Sequence, residues 1–141
     1  MITGHNHTSF TVKDLDRSIA FYTGVLGFGL ERRFDAEGPG ISTIVGMPGA
    51  RLKIAFVHLR EFRLELIQYA APAGVQVDMA TNNVGSAHIA FWTDDVDRTY
   101  EELQAKGVVF RGAPMRSRPD RPRVAYFYDP DGFTLEIVEP G

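Results

Sequence analysis

Two short stretches of the chain alternate apolar and polar residues, and each begins with a histidine. In the first, Phe10 and Val12 point one way while His7, Ser9 and Thr11 point the other; in the second, Ile89 and Phe91 oppose His88, Ala90 and Trp92. That alternation predicts strands whose histidines face away from the apolar side. The period then changes, with Leu15, Ile19, Tyr22 and Leu26 in one stretch and Val96, Tyr100 and Leu103 in the other at helical spacing. Asp14 and Asp95 suit helix N-caps, and Gly27 and Gly107 suit the stops. Strand-like runs follow each helix: Gly29 to Phe34, Ala50 to His58 and Arg63 to Tyr69, then Val108 to Arg111, Val124 to Tyr128 and Phe133 to Val138. The predicted unit is βαβββ, used twice.

The two units also match residue by residue. When His7 is set over His88, Phe10 falls on Phe91, Asp14 on Asp95, Asp16 on Asp97 and Arg17 on Arg98. Such internal similarity indicates a duplicated structural unit. Asp129-Pro130-Asp131-Gly132 has strong turn chemistry, so Arg123 to Tyr128 and Phe133 to Glu139 read as a hairpin. On its second strand Leu135 and Ile137 take the apolar face, and Glu136 lies opposite with Thr134 and Val138. Leu64-Glu65-Leu66 repeats this arrangement in the first half. The expected architecture is α+β: one domain over 1–141, with a first βαβββ unit at 1–72 and a second at 84–141. The two are expected to form a curved mixed sheet around a central cleft.

A matched histidine and glutamate in each unit define the candidate chemistry. Two imidazoles and two carboxylates, from His7, Glu65, His88 and Glu136, suit one divalent ion such as Zn, Ni, Co, Mn or Fe better than calcium, which takes oxygen ligands. His5, two residues before His7 and on the same face, is the leading rival ligand, and His58 is the next. Convergence of the four requires the units to face each other about a pseudo-twofold axis.

Composition narrows the classes. Fifteen basic against eighteen acidic residues leave a net charge of −3, which provides no field for nucleic acid. The absence of cysteine removes disulfides, thiolate ligands and cysteine nucleophiles. No apolar run approaches the roughly 18 residues of a membrane span, and no secretory leader is evident, so the expected location is cytoplasmic. Arg116, Arg118, Arg121 and Arg123, interleaved with Pro119 and Pro122, read as a solvated loop or as a lid whose arginines meet an anionic substrate.

The paired stretches His7 to Tyr22 and His88 to Leu103, with Tyr128 to Glu136, resemble the vicinal-oxygen-chelate superfamily of glyoxalases, bleomycin resistance proteins and dioxygenases. The pattern is most similar to members like glyoxalase I and methylmalonyl-CoA epimerase. The resemblance spans nearly the whole chain. It implies metal ligation by His7, Glu65, His88 and Glu136, and a homodimer acting on a small-molecule substrate. It further implies a lyase or isomerase in which Glu136, or else Glu65, moves a proton beside a metal-bound carbonyl while an enediolate is stabilised. Glutamate is absent from Ile41 to Val45, where the epimerases carry a further catalytic acid, and Gly38 to Ala50 is longer than in glyoxalase I enzymes of this length. The apolar segment Ile41 to Met47 is expected to form a short helix roofing the cleft. Met47, Phe56, Trp92, Tyr126 and Arg123 are expected to line the pocket, which favours an aromatic substrate slightly over a peptide thiol. The same family implies two alternatives, an Fe(II) ring-cleaving dioxygenase and a non-catalytic protein that binds a small molecule.

Overall fold

The computed structural model describes residues 1–141, and chain packing divides them into two compact units, Met1–Gln76 and Val77–Gly141. In the first unit, β1 (Thr8–Thr11) leads into α1 (Leu15–Ala20), which continues as a π-helical turn over Phe21–Val25. Then come β2 (Gly29–Glu37), α2 (Pro39–Val45), β3 (Arg51–Leu59) and β4 (Phe62–Ala71). These strands form one sheet in the order β1-β4-β3-β2, with β1 parallel to β4 and the other neighbours antiparallel. The parallel pairing makes the first and last strands of the unit neighbours and sets Ser9 opposite Glu65.

The second unit contains β5 (His88–Trp92), α3 (Val96–Ala105), β6 (Arg123–Tyr128) and β7 (Thr134–Glu139). Its sheet runs β5-β7-β6, again with a parallel first and last strand, so that Ala90 stands opposite Glu136. The strand expected at Val108 to Arg111 is reduced to isolated bridges, Phe110 to Phe127 and Met115 to Val124. Gly112 and Pro114 interrupt the run between them; a glycine costs backbone entropy and a proline has no N–H to give to a ladder. The strands make one sheet per unit, each mixed parallel and antiparallel, and the α+β architecture of two repeated units is the one expected from the sequence.

Helix ends follow local chemistry. The Asp14 carboxylate accepts the Arg17 backbone N–H at 3.0 Å, and that of Asp95 accepts the N–H of Arg98 at 2.9 Å. Each cap satisfies a donor that the helix leaves unpaired, worth about 1 kcal/mol. Gly107 (φ 86°) and Gly27 (φ 78°) take the left-handed conformation that lets the chain turn out of each helix.

One face of the first sheet buries Phe10, Ala55, Val57, Leu64 and Leu66, and α1 packs on β3 and β4 with Leu15 and Tyr22 fully buried. The opposite face carries Leu52, Ile54 and Phe56, against which Ile41 and Val45 of α2 pack together with Ile67 and Tyr69. Because Phe56 stands opposite Glu65 in register, α2 lies over the same face as that carboxylate. In the second unit α3 packs on β6 and β7, burying Val96 and Leu103, while Ala125, Phe127, Leu135 and Ile137 form the buried side of the strands. At the hairpin, the buried Asp129 carboxylate accepts the N–H groups of Asp131 and Phe133, each at 2.9 Å, which holds the turn that leads to Glu136.

Candidate metal centre

In the first unit the parallel pairing of β1 with β4 brings two residues far apart in sequence together: His7 Nε2 lies 3.3 Å from Glu65 Oε2. In the second unit the same pairing of β5 with β7 sets His88 Nε2 3.1 Å from Glu136 Oε2. The imidazole side chains are 34% and 44% exposed and the carboxylates 14% and 12%, so the donors are held by the sheet yet open to an incoming ion. Each unit gathers two such donors, and nowhere in the structure are three or more His, Cys, Asp or Glu side chains brought together as a metal-holding group.

An aromatic ring completes each pair. Phe56 is the register partner of Glu65, and its ring meets His7 edge-on at 5.4 Å between centroids. Tyr126 is the partner of Glu136, and its ring lies 5.3 Å from His88. Guanidinium groups cover each ring in turn: Arg63 at 4.2 Å and Arg32 at 4.6 Å lie over Phe56, and Arg111 stands 5.2 Å over Tyr126. The sequence reading missed Arg32 and Arg111. Their signal was faint, because the strand that should align Arg111 with Arg32 is broken in the second unit.

The two histidines differ in what holds them. His7 Nδ1 is 2.6 Å from Asn6 Oδ1, which can only accept, so Nδ1–H donates there and Nε2 is the nitrogen that faces Glu65. Asn6 Oδ1 also accepts from Arg63 Nη1 at 3.3 Å, and Arg63 is clamped by Glu31 through two bonds of 2.7 and 2.6 Å. Those hydrogen bonds hold the Glu31 carboxyl below its ordinary range. In the repeat, Ala87 occupies the position of Asn6, so His88 has no such support.

The remaining expected residues are placed as follows. His5 Nε2 meets the Thr8 hydroxyl at 3.2 Å rather than a carboxylate. His58 shares the sheet face of Glu65 but lies at the end of β3 with its ring against Gly29, where an added Cβ would come within 2.7 Å of Nε2. Trp92, 76% exposed, is on the face of His88, and Met47, 46% exposed, lies just beyond α2. Arg123 is a correction. It pairs in register with Glu139, and alternation turns it to the face opposite Glu136, where its guanidinium grips Asp97 of α3 at 2.5 and 2.6 Å. The loop before it closes on itself, with Arg116 bonded to the carbonyl of Arg121 and Arg118 and Arg121 both near Asp120. A hollow of about 470 Å³ at the start of α2, lined by Glu37, Ser42 and Arg51 among others, touches neither donor pair.

Known proteins are similar to this chain in sequence and fold. The family model described as "Glyoxalase/Bleomycin resistance protein/Dioxygenase superfamily" matches residues 4–137. A 2-epi-5-epi-valiolone epimerase of an Actinomyces species is 33% identical over 94% of this chain and 77% of its own length. The lactoylglutathione lyase GLX1 of Arabidopsis thaliana is 28% identical over 96% of this chain, which spans only 44% of that relative. A glyoxalase family protein of Bacillus cereus, known from its crystal structure, superposes with a TM-score of 0.87 at 22% identity, covering 99% of this chain and 95% of the other, and so shares the fold. By the length of that match and the repeated units it covers, the chain belongs to the Glyoxalase/Bleomycin resistance protein/Dioxygenase superfamily.

Proposed function

We propose that His7, Glu65, His88 and Glu136 together hold one divalent cation, and that the protein is a metal-dependent lyase or isomerase acting on a small carbonyl compound. One observation carries the metal reading. Two ligands each about 2.1 Å from a common ion, at angles near 90–110°, lie roughly 3.0–3.4 Å apart. The imidazole–carboxylate separations are 3.3 and 3.1 Å, and the donor atoms are the metal-binding ones, Nε2 and Oε2. Mixed nitrogen and oxygen donors fit Zn, Ni, Co, Mn or Fe. When bound, such an ion supplies Lewis acidity, drawing charge from substrate oxygens so that an adjacent C–H loses its proton more easily.

The chain's own residues do the rest. Glu136 is the first choice for the group that takes the proton on Oε2 and returns it, with Glu65 next, because a carboxylate at the reacting centre can alternate between ligand and base. Phe56 and Tyr126 wall the donors with apolar surface, which keeps water from competing for that proton. The names of the two relatives, a lyase and an epimerase, support proton transfer over oxygen chemistry. We further propose that the protein works as a homodimer, as its membership of the superfamily implies.

Metal analysis of protein purified without chelator, followed by absorbance assays with a hemithioacetal, an acyl-CoA and a catechol, tests the reading. One ion per chain and turnover of one of the first two substrates are expected. Glu136→Gln should leave the melting temperature nearly unchanged and slow turnover about 10²-fold or more. Turnover equal to wild type refutes the role of Glu136, and failure to retain any divalent ion refutes the metal centre.

A further inference from the structure

Arg63 stands two residues before Glu65 on β4, so alternation puts both side chains on the face of the first sheet that carries the donor pair. Its guanidinium lies 4.2 Å over the ring of Phe56, the register partner of Glu65, and its Nη1 donates to Asn6 beside His7. A cation in this place is a competitor. Guanidinium and carboxylate match through two parallel hydrogen bonds, and such a pair would occupy the Glu65 oxygens an incoming metal needs while setting a like charge beside it.

Arg63 is instead turned aside. Its Nε and Nη2 donate to the two oxygens of Glu31 at 2.7 and 2.6 Å. Those bonds are the main reason its pKa lies above the ordinary arginine value, and Glu65 adds to the rise through its charge alone. The backbone of β2 departs from regularity to deliver Glu31. Leu30 pairs with Val57 and Arg32 with Phe56, the adjacent residue of β3, so Glu31 is the extra residue of a β-bulge. Strict alternation would turn Glu31 to the face opposite Arg32, where Arg33 meets Asp16 of α1. The bulge brings its carboxylate to the donor face and Arg63.

The second unit has no matching competitor, because Thr134 occupies the place two residues before Glu136. Arg32 shares the donor face of the first unit, but it stands two strands from Glu65 with Phe56 between them in register. We infer that Glu31 is a positioning residue of the metal centre: with both oxygens spent on Arg63, it holds that guanidinium off Glu65 and keeps the Glu65 carboxylate free for the cation. The inference rests on the proposed metal centre for what Glu65 binds, and on β2 and β4 alone for where Arg63 goes.

Zn²⁺ affinity, measured by competition with a chromophoric chelator, and crystal structures of the metal-free proteins test this. The Glu31–Arg63 pair is partly exposed, so variants in it should fold and melt close to wild type. Glu31→Gln should release Arg63 onto Glu65 and weaken Zn²⁺ binding about tenfold or more, the usual scale for losing a group that supports a metal ligand. Removing the competitor as well, in the double variant Glu31→Gln/Arg63→Gln, should bring affinity back to within about threefold of wild type, a non-additivity that marks direct coupling. A merely structural ion pair predicts the opposite, a double variant no tighter than Glu31→Gln. Unchanged affinity in Glu31→Gln, or no recovery in the double variant, overturns the inference. Should wild type take up no Zn²⁺, the metal reading falls and the metal-free structures decide the rest. Arg63 hydrogen-bonded to Glu65 in Glu31→Gln then upholds the guarding of that carboxylate by Glu31, and Arg63 unmoved sinks it as well.

Discussion

Replacing Asn6 by alanine removes the acceptor that holds His7 in one tautomer and one orientation. The bond is short, 2.6 Å, and its acceptor is itself fixed by Arg63 and through it by Glu31. Losing the group that orients a metal-binding histidine typically costs 10- to 100-fold in affinity. Only one of the two histidines has such a support, so the loss should lie toward the lower end, about 10- to 30-fold, or about 1.4–2.0 kcal/mol. Competition against a chromophoric chelator at constant pH measures it. In a His7→Ala background the same change should have no further effect, because the interaction it removes is already gone. The converse substitution, Ala87→Asn, places an acceptor beside His88 and should strengthen binding. An unchanged affinity in Asn6→Ala, or an equal loss with and without His7, refutes the reasoning.

Two further outcomes concern the scaffold. Leu66 is fully buried on the α1 side of the first sheet, so Leu66→Ala should cost about 2–5 kcal/mol in denaturant unfolding, and a loss under 1 kcal/mol would mean the two layers are not packed there. The hydrogen bonds from Arg123 hold the Asp97 carboxyl below its ordinary value. A carboxylate lowered in this way stabilises the fold above about pH 4, and its contribution disappears as pH falls through the folded-state value. Arg123→Gln should therefore lower the melting temperature at neutral pH, with the gap to wild type closing in acid as pH falls through the folded-state value of Asp97. A gap that persists in acid would show that the guanidinium acts through packing instead.

Local pattern made much of this protein legible. Alternation at His7–Val12 and His88–Trp92, the caps at Asp14 and Asp95, and the Asp129–Gly132 turn are short-range matters of period, hydrogen bonding and φ, and each has its expected place in the structure. Repetition added what a single half could not, since two histidines and two glutamates in matched positions argue for common use. Arg123 shows where that method stops. The arginine-rich loop marked it as a residue that could meet a substrate, but strand alternation turns it toward α3 and Asp97.

From its residues alone, then, the chain determines its helices, most of its strands and the face on which each donor lies, because those depend on neighbours one to four positions away. Strand partnership was decided only in three dimensions. The parallel pairing of β1 with β4 and β5 with β7 joins donors 58 and 48 positions apart, and the interruption of the chain around Gly112 and Pro114 leaves the second unit's sheet with three strands. The support of His7 by Asn6 and the stacking of Arg32 and Arg111 also emerge there. They are contacts between side chains whose directions are set by register, and register is a property of the folded sheet rather than of any local stretch.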